Sequence, residues 1–569
     1  MSPNRRHALL RIAIIGGVLV ALNVLLQAFP QLFSAVSLDV TADRRFSLTA
    51  PTKNLLRSLD SDVTIEVYLD GDFPAGFKRL QSSVRNLLSD FRNYSGRIKF
   101  SFINPNGGTV TQQNSFRTKL KDDGIMPTKL QMKAAESYEE KYIFPAAKVY
   151  HKGHYAVVNL LENQSPGQDQ ELILNNSVNL LEYKFINAIS KLNASAAPVI
   201  GFTTGHGELD AAHTADLERS LDEFYQVIHI PLDSSIQIKP QVKVLIVAQP
   251  RTEFSEKNKF VFDQYVMNGG KIIWLIDAVN VATDSLMRRK EFAPSNFTLG
   301  LDDLLFRYGA RINPNTVVDM RSSRIALQVG QQGNAPQYEL FPWFYHVIAV
   351  PDPESHIIVK NLDGISLKFA STIDTIRTKT PVRKTVLLHS SDRTFVKFLP
   401  YPLNFDIARQ RPDPNYFKKG NQPLALLLEG TFPSLYEKRV SEEMENGLKS
   451  LGLTYKSQSP PTKMIVVADG DVAANGVDLE KKTFKPLGYD KFEQYTFANK
   501  SFLLNCVEYL LDNHDLLQAR AKEVKLRKLN TSAAHSNALF WQAVNIGLPL
   551  LLLVAFGWLF NTWRKRRYQ

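Results

Sequence analysis

The chain has 569 residues, of which 44% are apolar, and it carries a formal net charge of +12. This length and composition are those of a globular protein with two or three hydrophobic cores. The single cysteine, Cys506, excludes an intramolecular disulfide and argues against a thiolate metal site. Seven basic residues flank apolar segments near the two ends, and without them only +5 remains, too diffuse for a nucleic-acid-binding surface; they are Arg5, Arg6, Arg11, Arg564, Lys565, Arg566 and Arg567.

Residues 12–29, IAIIGGVLVALNVLLQAF, are apolar over about the shortest length that can cross a bilayer. Arginines precede the segment and Pro30 follows it. A cleavable signal peptide is the competing interpretation. Phe33, however, occupies the first small-residue position of a cleavage site, before Ser34 and Ala35, so an uncleaved anchor ending near residue 36 is favoured.

Residues 37–196 are predicted to form a first α/β domain outside the membrane. Residues 63–69 alternate as a strand, apolar residues recur every three or four positions from 77 to 94 as on an amphipathic helix, and 98–103 is the next strand. This unit resembles half of a thioredoxin-like fold. It lacks Cys-x-x-Cys, which excludes redox chemistry there. A long helix over residues 172–192 closes the domain.

The segment 243–277 is the clearest strand–helix–strand unit in the chain. Residues 244–248 and 272–276 are short apolar runs, the pattern of strands buried on both faces of a parallel sheet. Between them, Ser255 can cap a helix and the glycine pair at 269–270 can end it. The unit predicts a doubly wound α/β core whose ligand-binding edge lies at the carboxyl ends of the strands.

Shorter signals on both sides of this unit complete the predicted core. Residues 199–202 and 226–230 form two strands before it, and 464–468 forms a strand far beyond it. In the intervening stretch, residues 296–459, the alternation of strands and helices weakens and prolines are frequent. We therefore expect a β-rich insertion within a parallel sheet.

The densest group of polar residues follows the first core strand, at the predicted ligand-binding edge. As a metal site this loop would offer His206, Glu208 and His213, but that spacing is not an established ligand pattern. A glycine-permitted turn before a helix is the simplest alternative. We interpret the loop as a binding site for a small or peptide ligand or partner, formed by Thr204, Gly205, His206, Gly207 and Glu208.

Two aspartates are expected at the same edge. Asp277 follows a strand, and Asp469 opens the turn Asp469-Gly470-Asp471. Asp469 and Asp471 can hold a divalent cation, whereas the simpler interpretations are a turn and, for Asp277, a cap. We predict ligand contacts at Asp277 and Asp469, with no catalytic residue, metal or cofactor. The sequence contains no P-loop and no Gly-x-Ser-x-Gly elbow, which argues against ATP binding and serine hydrolysis.

Residues 538–560 form a second candidate membrane span, with Trp541 and Trp558 near its ends and a basic tail after it. The basic flanks place both termini in the cytoplasm and the bulk of the chain in the periplasm, although four basic residues between 522 and 528 oppose this orientation. Polar side chains within the two spans are expected to face a partner helix or each other; they are Asn23, Gln27, Gln542 and Asn545.

Several stretches in a fixed order carry a family resemblance: DVTADRRFSLT, FTTGHGELD, VLIVAQP, GGKIIWLID, VVADGDVAAN and NKSFLLNCVEYLLD. Together with the two apolar ends, they make the chain similar to the gliding-motility-associated ABC-transporter auxiliary proteins of the GldG family over essentially its whole length. The resemblance implies a core similar to flavodoxin-like class I glutamine amidotransferases. Catalytic members use a cysteine at a strand-to-helix elbow, whereas Cys506 lies in a predicted helix, so that chemistry is not carried over.

The resemblance implies a non-enzymatic auxiliary subunit in the inner membrane of gliding Bacteroidota, working with an ABC permease, a separate ATPase and other envelope motility or secretion proteins. The alternatives are a metal-dependent or amidotransferase-like hydrolase, using the loop at 205–213 with Asp277 or Asp469, and a purely structural envelope scaffold. The predicted order of segments is a first anchor (1–36), a first α/β domain (37–196), a core (197–295 and 460–515) with its insertion (296–459), a linker (516–537), a second span (538–560) and a basic tail (561–569).

Overall fold

Two separate sheets organise most of the chain, one formed before residue 160 and the other after residue 198. The computed structural model describes Gly17 and residues 47–71, 73–133, 138–162, 170–194, 196–281, 286, 291–333, 335–352, 354–409, 413–478, 483–511, 516–519 and 538–568.

The first sheet has four strands in the order β2-β1-β5-β6, with β1 and β2 parallel as the predicted strand–helix–strand unit requires. Helix α2 packs on it because Phe77, Leu80, Val84, Leu88 and Phe91, spaced by three and four, are all buried on one face. The elements are α1 (Ala50–Arg57), β1 (Val63–Val67), α2 (Ala75–Tyr94), β2 (Ile98–Phe102), α3 (Val110–Asp122), β3 (Thr128–Lys133), β4 (Tyr138–Ile143), β5 (Ala146–His151), β6 (His154–Asn159) and α4 (Gln170–Asn193).

The second sheet begins with the predicted alternation of strands and helices. Ser255 caps α6 by accepting a hydrogen bond from the amide of Asn258, and Gly269 follows the helix with a φ of 88°. The elements are β7 (Val199–Thr204), α5 (Ala211–Asp222), β8 (Gln226–Pro231), β9 (Val242–Ala248), α6 (Glu256–Met267) and β10 (Lys271–Leu275).

Most of the regular elements described in the segment 296–459 are strands. Its elements, with the short pair before it, are β11 (Val279–Asn280), β12 (Ser295–Asn296), α7 (Asp302–Tyr308), β13 (Ala310–Ile312), β14 (Asn315–Asp319), β15 (Ser322–Gln332), β16 (Ala335–Ala349), β17 (Ile365–Lys368), β18 (Ile373–Thr375), β19 (Val382–His389), β20 (Thr394–Phe398), α8 (Asp406–Arg409), β21 (Pro423–Gly430) and α9 (Glu442–Ser450). The remaining elements are β22 (Thr462–Val467), β23 (Val477–Asp478), β24 (Thr483–Phe484), β25 (Tyr489–Asp490), β26 (Tyr495–Thr496), α10 (Asn499–Leu511) and α11 (Ala538–Tyr568).

The second sheet has seven strands in the order β19-β21-β22-β10-β9-β7-β8. The five strands from β22 to β8 are parallel, and β10 lies between β9 and β22. Strands β19 and β21 come from the insertion and add antiparallel strands at one edge, so the sheet as a whole is mixed. Strand β21 is buried from Leu424 to Leu428, so it supplies a fully covered strand where β22 would otherwise be an edge.

Helices cover both faces of this sheet. Apolar residues of α5 and α10, among them Leu217, Leu221 and Phe502, pack on one face. Those of α6 and α7, including Phe262 and Leu304, pack on the other. This doubly wound arrangement leaves the two ends of the parallel strands as the places where polar loops and cavities can form.

Helix α11 belongs to a compact unit separate from the one that contains the two sheets. Within α11, Phe540–Arg567 is long and apolar enough to cross a membrane, and its apolar window is entirely unburied. The predicted first span at 12–29 lies outside the described residues except for Gly17, and Asn23 and Gln27 lie outside them as well. Among the residues that the structure describes, one helix is compatible with a membrane span.

Candidate functional site

The predicted edge of the second sheet gathers four loops that follow neighbouring parallel strands. Residues 205–210 follow β7, 249–252 follow β9, 276–277 follow β10 and 468–471 follow β22. The loops are tied together through main-chain hydrogen bonds: Leu209 donates to Ala248, and Ile276 donates to Val467. Thr204–Glu208, Asp277 and Asp469 therefore lie at the same edge of one sheet.

Three aspartates meet at this edge. Asp277, Asp469 and Asp471 each offer a carboxylate oxygen, and these oxygens lie within 4.8 Å of one another. Asp469 is fully buried, and 11% of the Asp277 side chain is exposed. The sequence placed Asp277 and Asp469 at the same edge, but the strand order that makes β10 and β22 neighbours brings them together.

Hydrogen bonds already engage the oxygens of the two buried aspartates. Asp277 accepts from the main-chain N–H of Gly470 at 2.6 Å and from Gln249 Nε2 at 2.9 Å. Asp469 accepts from the N–H of Lys368 at 2.6 Å and from that of Asp471 at 2.8 Å. Three carboxylate oxygens are ligands of the kind that Mg²⁺ and Ca²⁺ prefer. Here the carboxylates of Asp277 and Asp469 accept hydrogen bonds from neighbouring loops and so hold those loops together.

Close carboxylates in a buried place perturb each other's ionisation. Burial, reinforced by the charge of Asp471, raises the pKa of Asp277 to about 6. Burial and the charges of Asp471 and Asp277 raise the pKa of Asp469 well above its ordinary value. The cluster therefore holds a proton at pH values where an exposed aspartate is ionised.

The His206 loop is a compact turn built on two glycines. Gly205 and Gly207 have φ values of 114° and 71°, which other residues rarely adopt. The ring of His206 stacks on Phe254 with centroids 4.1 Å apart, and Asn258 Nδ2 lies 2.8 Å from its Nε2. Glu208 folds back to accept from the main-chain N–H of His206 at 2.6 Å. The loop thus buries a histidine and a carboxylate side by side.

Three buried polar atoms in this loop region lack a hydrogen-bond partner: His206 Nδ1, Glu208 Oε1 and Asn258 Oδ1. His206 Nδ1 and Glu208 Oε1 are 4.0 Å apart, too far for a direct hydrogen bond. Their side chains are 4% and 2% exposed. Because buried polar atoms in folded proteins are nearly always paired, this set is the strongest local signal for a bound group.

The segment after β9 connects the His206 loop to the aspartates. The main-chain N–H groups of Arg251 and Thr252 donate to the carbonyl of His206. The Arg251 guanidinium lies 3.7 Å from Asp277 Oδ2 and also packs over Phe297. Gln249, in the left-handed region with a φ of 57°, reaches the same aspartate. The sequence pattern gave no sign of the role of Arg251.

Asn258 and Asp233 are the other site residues that the sequence did not reveal. Asn258 lies on α6 and donates to Asp233 Oδ1 at 3.0 Å as well as to His206. Asp233 Oδ1 lies 3.5 Å from His206 Nε2. An isolated asparagine within a helix and an aspartate in a loop carry no distinguishing pattern, so only their spatial approach to His206 identifies them.

A cleft of about 410 Å³ opens beside Asp277. Phe297, Leu301 and Arg311 are among the residues that line it. Its size is at the lower end of the range for small-molecule sites, and one of the clustered aspartates lies in its wall. The cleft gives the aspartate cluster a route to a ligand.

Two residues that hydrolase chemistry could use, His213 and Cys506, are engaged elsewhere in the fold. His213 Nδ1 lies 2.7 Å from Asp210 Oδ1 on the exposed side of the loop, and among the described residues it does not join His206 and Glu208 in a metal-ligand group. Cys506 is fully buried in α10, and burial raises the pKa of its thiol well above the usual range. A buried thiol within a helix is unsuited to act as a nucleophile.

These features define a class of protein: two α/β sheets, a polar site at the carboxyl edge of the larger sheet, and a helix able to cross a membrane. The chain belongs to the family described as ABC-type uncharacterized transport system, whose model matches residues 197–506, more than half of the sequence. The match supports an auxiliary role in such a system. A second model, described only as a domain of unknown function, matches residues 42–150.

Likenesses to other proteins are weak. No curated protein matches the chain. Among solved structures, the mmIFT52 N-terminal domain is similar at 14% identity, covering 55% of this chain and 98% of that one with a TM-score of 0.30. Exo-beta-1,4-mannosidase Op5Man5 from Opitutaceae bacterium strain TAV5 is similar at 10% identity, covering 75% and 52% with a TM-score of 0.22. At these scores neither likeness bears on fold or function.

Proposed function

We propose that this protein is a non-enzymatic auxiliary subunit of an ABC transporter associated with gliding motility. The observation that carries the proposal is the family match over residues 197–506. The gliding part is supported only by the resemblance of stretches such as FTTGHGELD and NKSFLLNCVEYLLD to the GldG family. The proposed partners are an ABC permease, a separate ATPase and other envelope motility or secretion proteins, with no role for nucleic acid.

The proposed location is the inner membrane, with spans at 12–29 and in α11, both termini in the cytoplasm and the bulk in the periplasm. Support comes from the apolar window of α11 and from the basic residues in its last turn. The bulk would comprise a first domain (37–196), a core (197–295 and 460–515) and an insertion (296–459).

The proposed contacts with the permease in the membrane are Asn23, Gln27, Gln542 and Asn545. Gln542 and Asn545 are exposed on α11, and Pro549 follows them within the same helix. Proline has no N–H, so the carbonyl of Asn545, four residues earlier, loses its helical donor. A lipid environment offers no replacement, and a neighbouring helix with a polar side chain would supply one.

We propose that the site at the carboxyl edge of the second sheet binds a small or peptide ligand, or a segment of a partner. The residues proposed to contact it are Thr204–Glu208, Asp277 and Asp469. Support comes from the unpartnered atoms of His206 and Glu208 and from the adjoining cleft. A ligand with one donor and one acceptor would complete the hydrogen bonding of both side chains.

The experiment that tests the subunit assignment is a pull-down from membranes in mild detergent with the full chain as bait, followed by mass spectrometry. Recovery of an ABC permease and ATPase is the expected result. His206→Gln serves as a second bait. Because His206 belongs to the proposed ligand site and not to the proposed membrane contacts, this variant should still recover the permease and ATPase. Exposed His213→Gln is its matched control. If folded, abundant bait recovers neither subunit, a hydrolase or scaffold becomes the better account and the loop at 205–213 should be assayed for activity.

A further inference from the structure

Helices α1 and α2, on one side of the first sheet, carry positive charge with little negative charge among it. Together they contain six basic residues and one acidic residue, Asp90; the basic residues are Lys53, Arg57, Lys78, Arg79, Arg85 and Arg92. Asp90 is half-buried, whereas all of the basic residues except Lys53 are exposed. The outer surface of these two helices is therefore predominantly basic.

The acidic residues around the two helices lie toward the start of α2 or pair elsewhere. Asp70 and Asp72 precede α2 in the sequence, and Glu171 lies 3.6 Å from Arg79 near its start. Two aspartates after α1 form ion pairs with basic residues outside both helices; the pairs are Asp60–Lys152, Asp62–Arg97 and Asp62–Lys99. The cations away from these carboxylates are called the basic face below, and they are Lys53, Arg57, Arg85 and Arg92.

Two arginines of the basic face lie over aromatic rings of the edge strand β2. Arg85 is 4.0 Å from the ring centroid of Phe102, and Arg92 is 5.0 Å from that of Phe100. Within the part of the chain that the structure describes, neither guanidinium forms an ion pair with a carboxylate. A guanidinium carries its hydrogen-bond donors at its edges, so a phosphate can still accept from these two.

The chain continues toward its apolar ends from the side of the first sheet that α2 covers. Residues near both ends of the stretch described between 47 and 519 are buried in one apolar cluster with the inner residues of α2; they are Leu48, Leu516 and Ala519. Only residues 30–46 separate this side from the predicted span at 12–29, and only residues 520–537 separate it from α11. Both connections toward the membrane therefore begin on the α2 side.

Helices α1 and α2 supply the open surface on this side. The other long helix there, α4, is exposed at Glu171 alone among its described side chains. Helix α3 covers the opposite face of the sheet, because its Leu120 clusters with Ala146, whereas the next residue, Ala147, clusters with α2. The basic face thus lies on the same side as the two connections, and α3 lies on the other.

We propose that the basic face rests on the membrane surface and binds the phosphate groups of anionic phospholipids. Each lysine or arginine near such a surface adds to its attraction. Tyr94, 39% exposed and lying 5.3 Å from Lys53 Nζ, has the amphipathic ring that suits the boundary between head groups and water. This contact requires the proposed membrane attachment and is independent of the ligand site at the carboxyl edge of the second sheet.

The test places the full chain in nanodiscs that contain a phospholipid with a spin-labelled head group, which quenches a nearby fluorophore. Asn86→Cys carries the fluorophore on the exposed side of α2, and the native Cys506 is fully buried. We expect quenching when phosphatidylglycerol is mixed with phosphatidylcholine, with a ratio of quenched to unquenched label about tenfold lower in phosphatidylcholine alone. High salt should lower the ratio as well. Asn114→Cys, exposed on α3, is the matched control and should stay unquenched.

Paired substitutions test whether charge is responsible. Arg85→Gln with Arg92→Gln should lower the ratio about thirtyfold, because two cations leave the surface. Lys119→Gln with Lys121→Gln removes the same charge from α3 and should leave the ratio unchanged. Arg85→Lys with Arg92→Lys keeps the charge and should retain most of the quenching. If the lysine pair is as weak as the glutamine pair, the arginines act by stacking on β2 and the proposal fails.

Two other results would overturn the proposal. Equal quenching in the two lipid compositions would show that anionic lipid is not recognised. No quenching in either, with the chain retained in the nanodisc, would leave an acidic protein partner as the occupant of the basic face. A chain that separates from the lipid in gel filtration would refute the proposed membrane attachment and this contact together, and that result is distinct from the other two.

Discussion

Replacing Glu508 by glutamine should break the main polar contact between α4, beside the first sheet, and α10, on the second. The Glu508 carboxylate accepts hydrogen bonds from Tyr183, from Asn187 Nδ2 at 2.9 Å and from Lys191 Nζ at 2.5 Å. Only 13% of the Glu508 side chain and 15% of the Lys191 side chain are exposed. The substitution therefore leaves the largely buried Lys191 ammonium without its hydrogen-bonded counter-charge, with Glu223 as a remaining nearby carboxylate.

Removing one partner of a buried ion pair costs about 3–5 kcal/mol. Lys191 also packs over the ring of Phe224 at 4.4 Å, a contact that remains in the variant, so we expect about 3 kcal/mol, at the low end of that range. Since about 1.4 kcal/mol is a tenfold change in an equilibrium constant, opening of this interface should become about a hundredfold more frequent.

The pH dependence of this contact has a defined sign. Burial pushes the pKa of Glu508 upward, but Lys191 and the other donors outweigh it, and the net pKa is lowered from 4.5. A carboxyl with a lowered pKa in the folded state stabilises the fold above its unfolded pKa. The stabilisation is therefore present above about pH 4.5 and is lost as the pH falls through the lower folded pKa.

Hydrogen–deuterium exchange of the full chain measures the opening directly. Amides of α4 and α10 should exchange about a hundredfold faster in Glu508→Gln. The double variant with Lys191→Met should recover much of the protection, because it removes the unpaired charge. Exposed Glu354→Gln is the control. Exchange in Glu508→Gln equal to that control, or single effects that simply add in the double variant, would refute the reasoning.

Three further outcomes are expected. Burial raises the pKa of Asp277 from 3.8 to about 6, so ionisation of Asp277 lowers the free energy of unfolding as the pH rises between those values. In Asp277→Asn this pH-dependent decrease, about 2–3 kcal/mol, should disappear from the free energies measured in denaturation series at several pH values. Exposed Asp392→Asn is the control and should keep the decrease. Because main-chain and side-chain donors engage the aspartate oxygens, metal analysis should find no stoichiometric divalent cation; one that vanishes in Asp469→Asn would contradict this. In the pull-down, Asn545→Leu should lower permease recovery severalfold, whereas Leu553→Ile should leave it unchanged; equal recovery would exclude Asn545 from the interface.

The secondary structure around the second sheet was predictable because local patterns dominate there. The runs at 244–248 and 272–276 are apolar at nearly every position, and Ser255 and Gly269 mark the ends of the helix between them. Burial on both faces, helix capping and left-handed glycine geometry are local requirements, so adjacent residues display them. The carboxyl edge of the sheet, with its His206 loop, followed from the same pattern.

The joining of β19 and β21 to the parallel strands was not predictable. Both strands lie within the proline-rich stretch at 296–459, and they reach β22 only through antiparallel pairing across long intervals of sequence. The apolar pattern of a strand predicts that the strand is buried, but it does not predict which strand pairs with it.

The sequence by itself determined the kinds of elements in this protein, the apolar helix at its end and the edge of the sheet where polar loops emerge, because hydrophobic period and turn chemistry are written in neighbouring residues. Only the tertiary structure decided that Asp277 meets Asp469 and that Gln249 and Arg251 connect this cluster to His206. Those relations depend on strand order and on side chains far apart in the chain, and their physical cause is close packing in three dimensions.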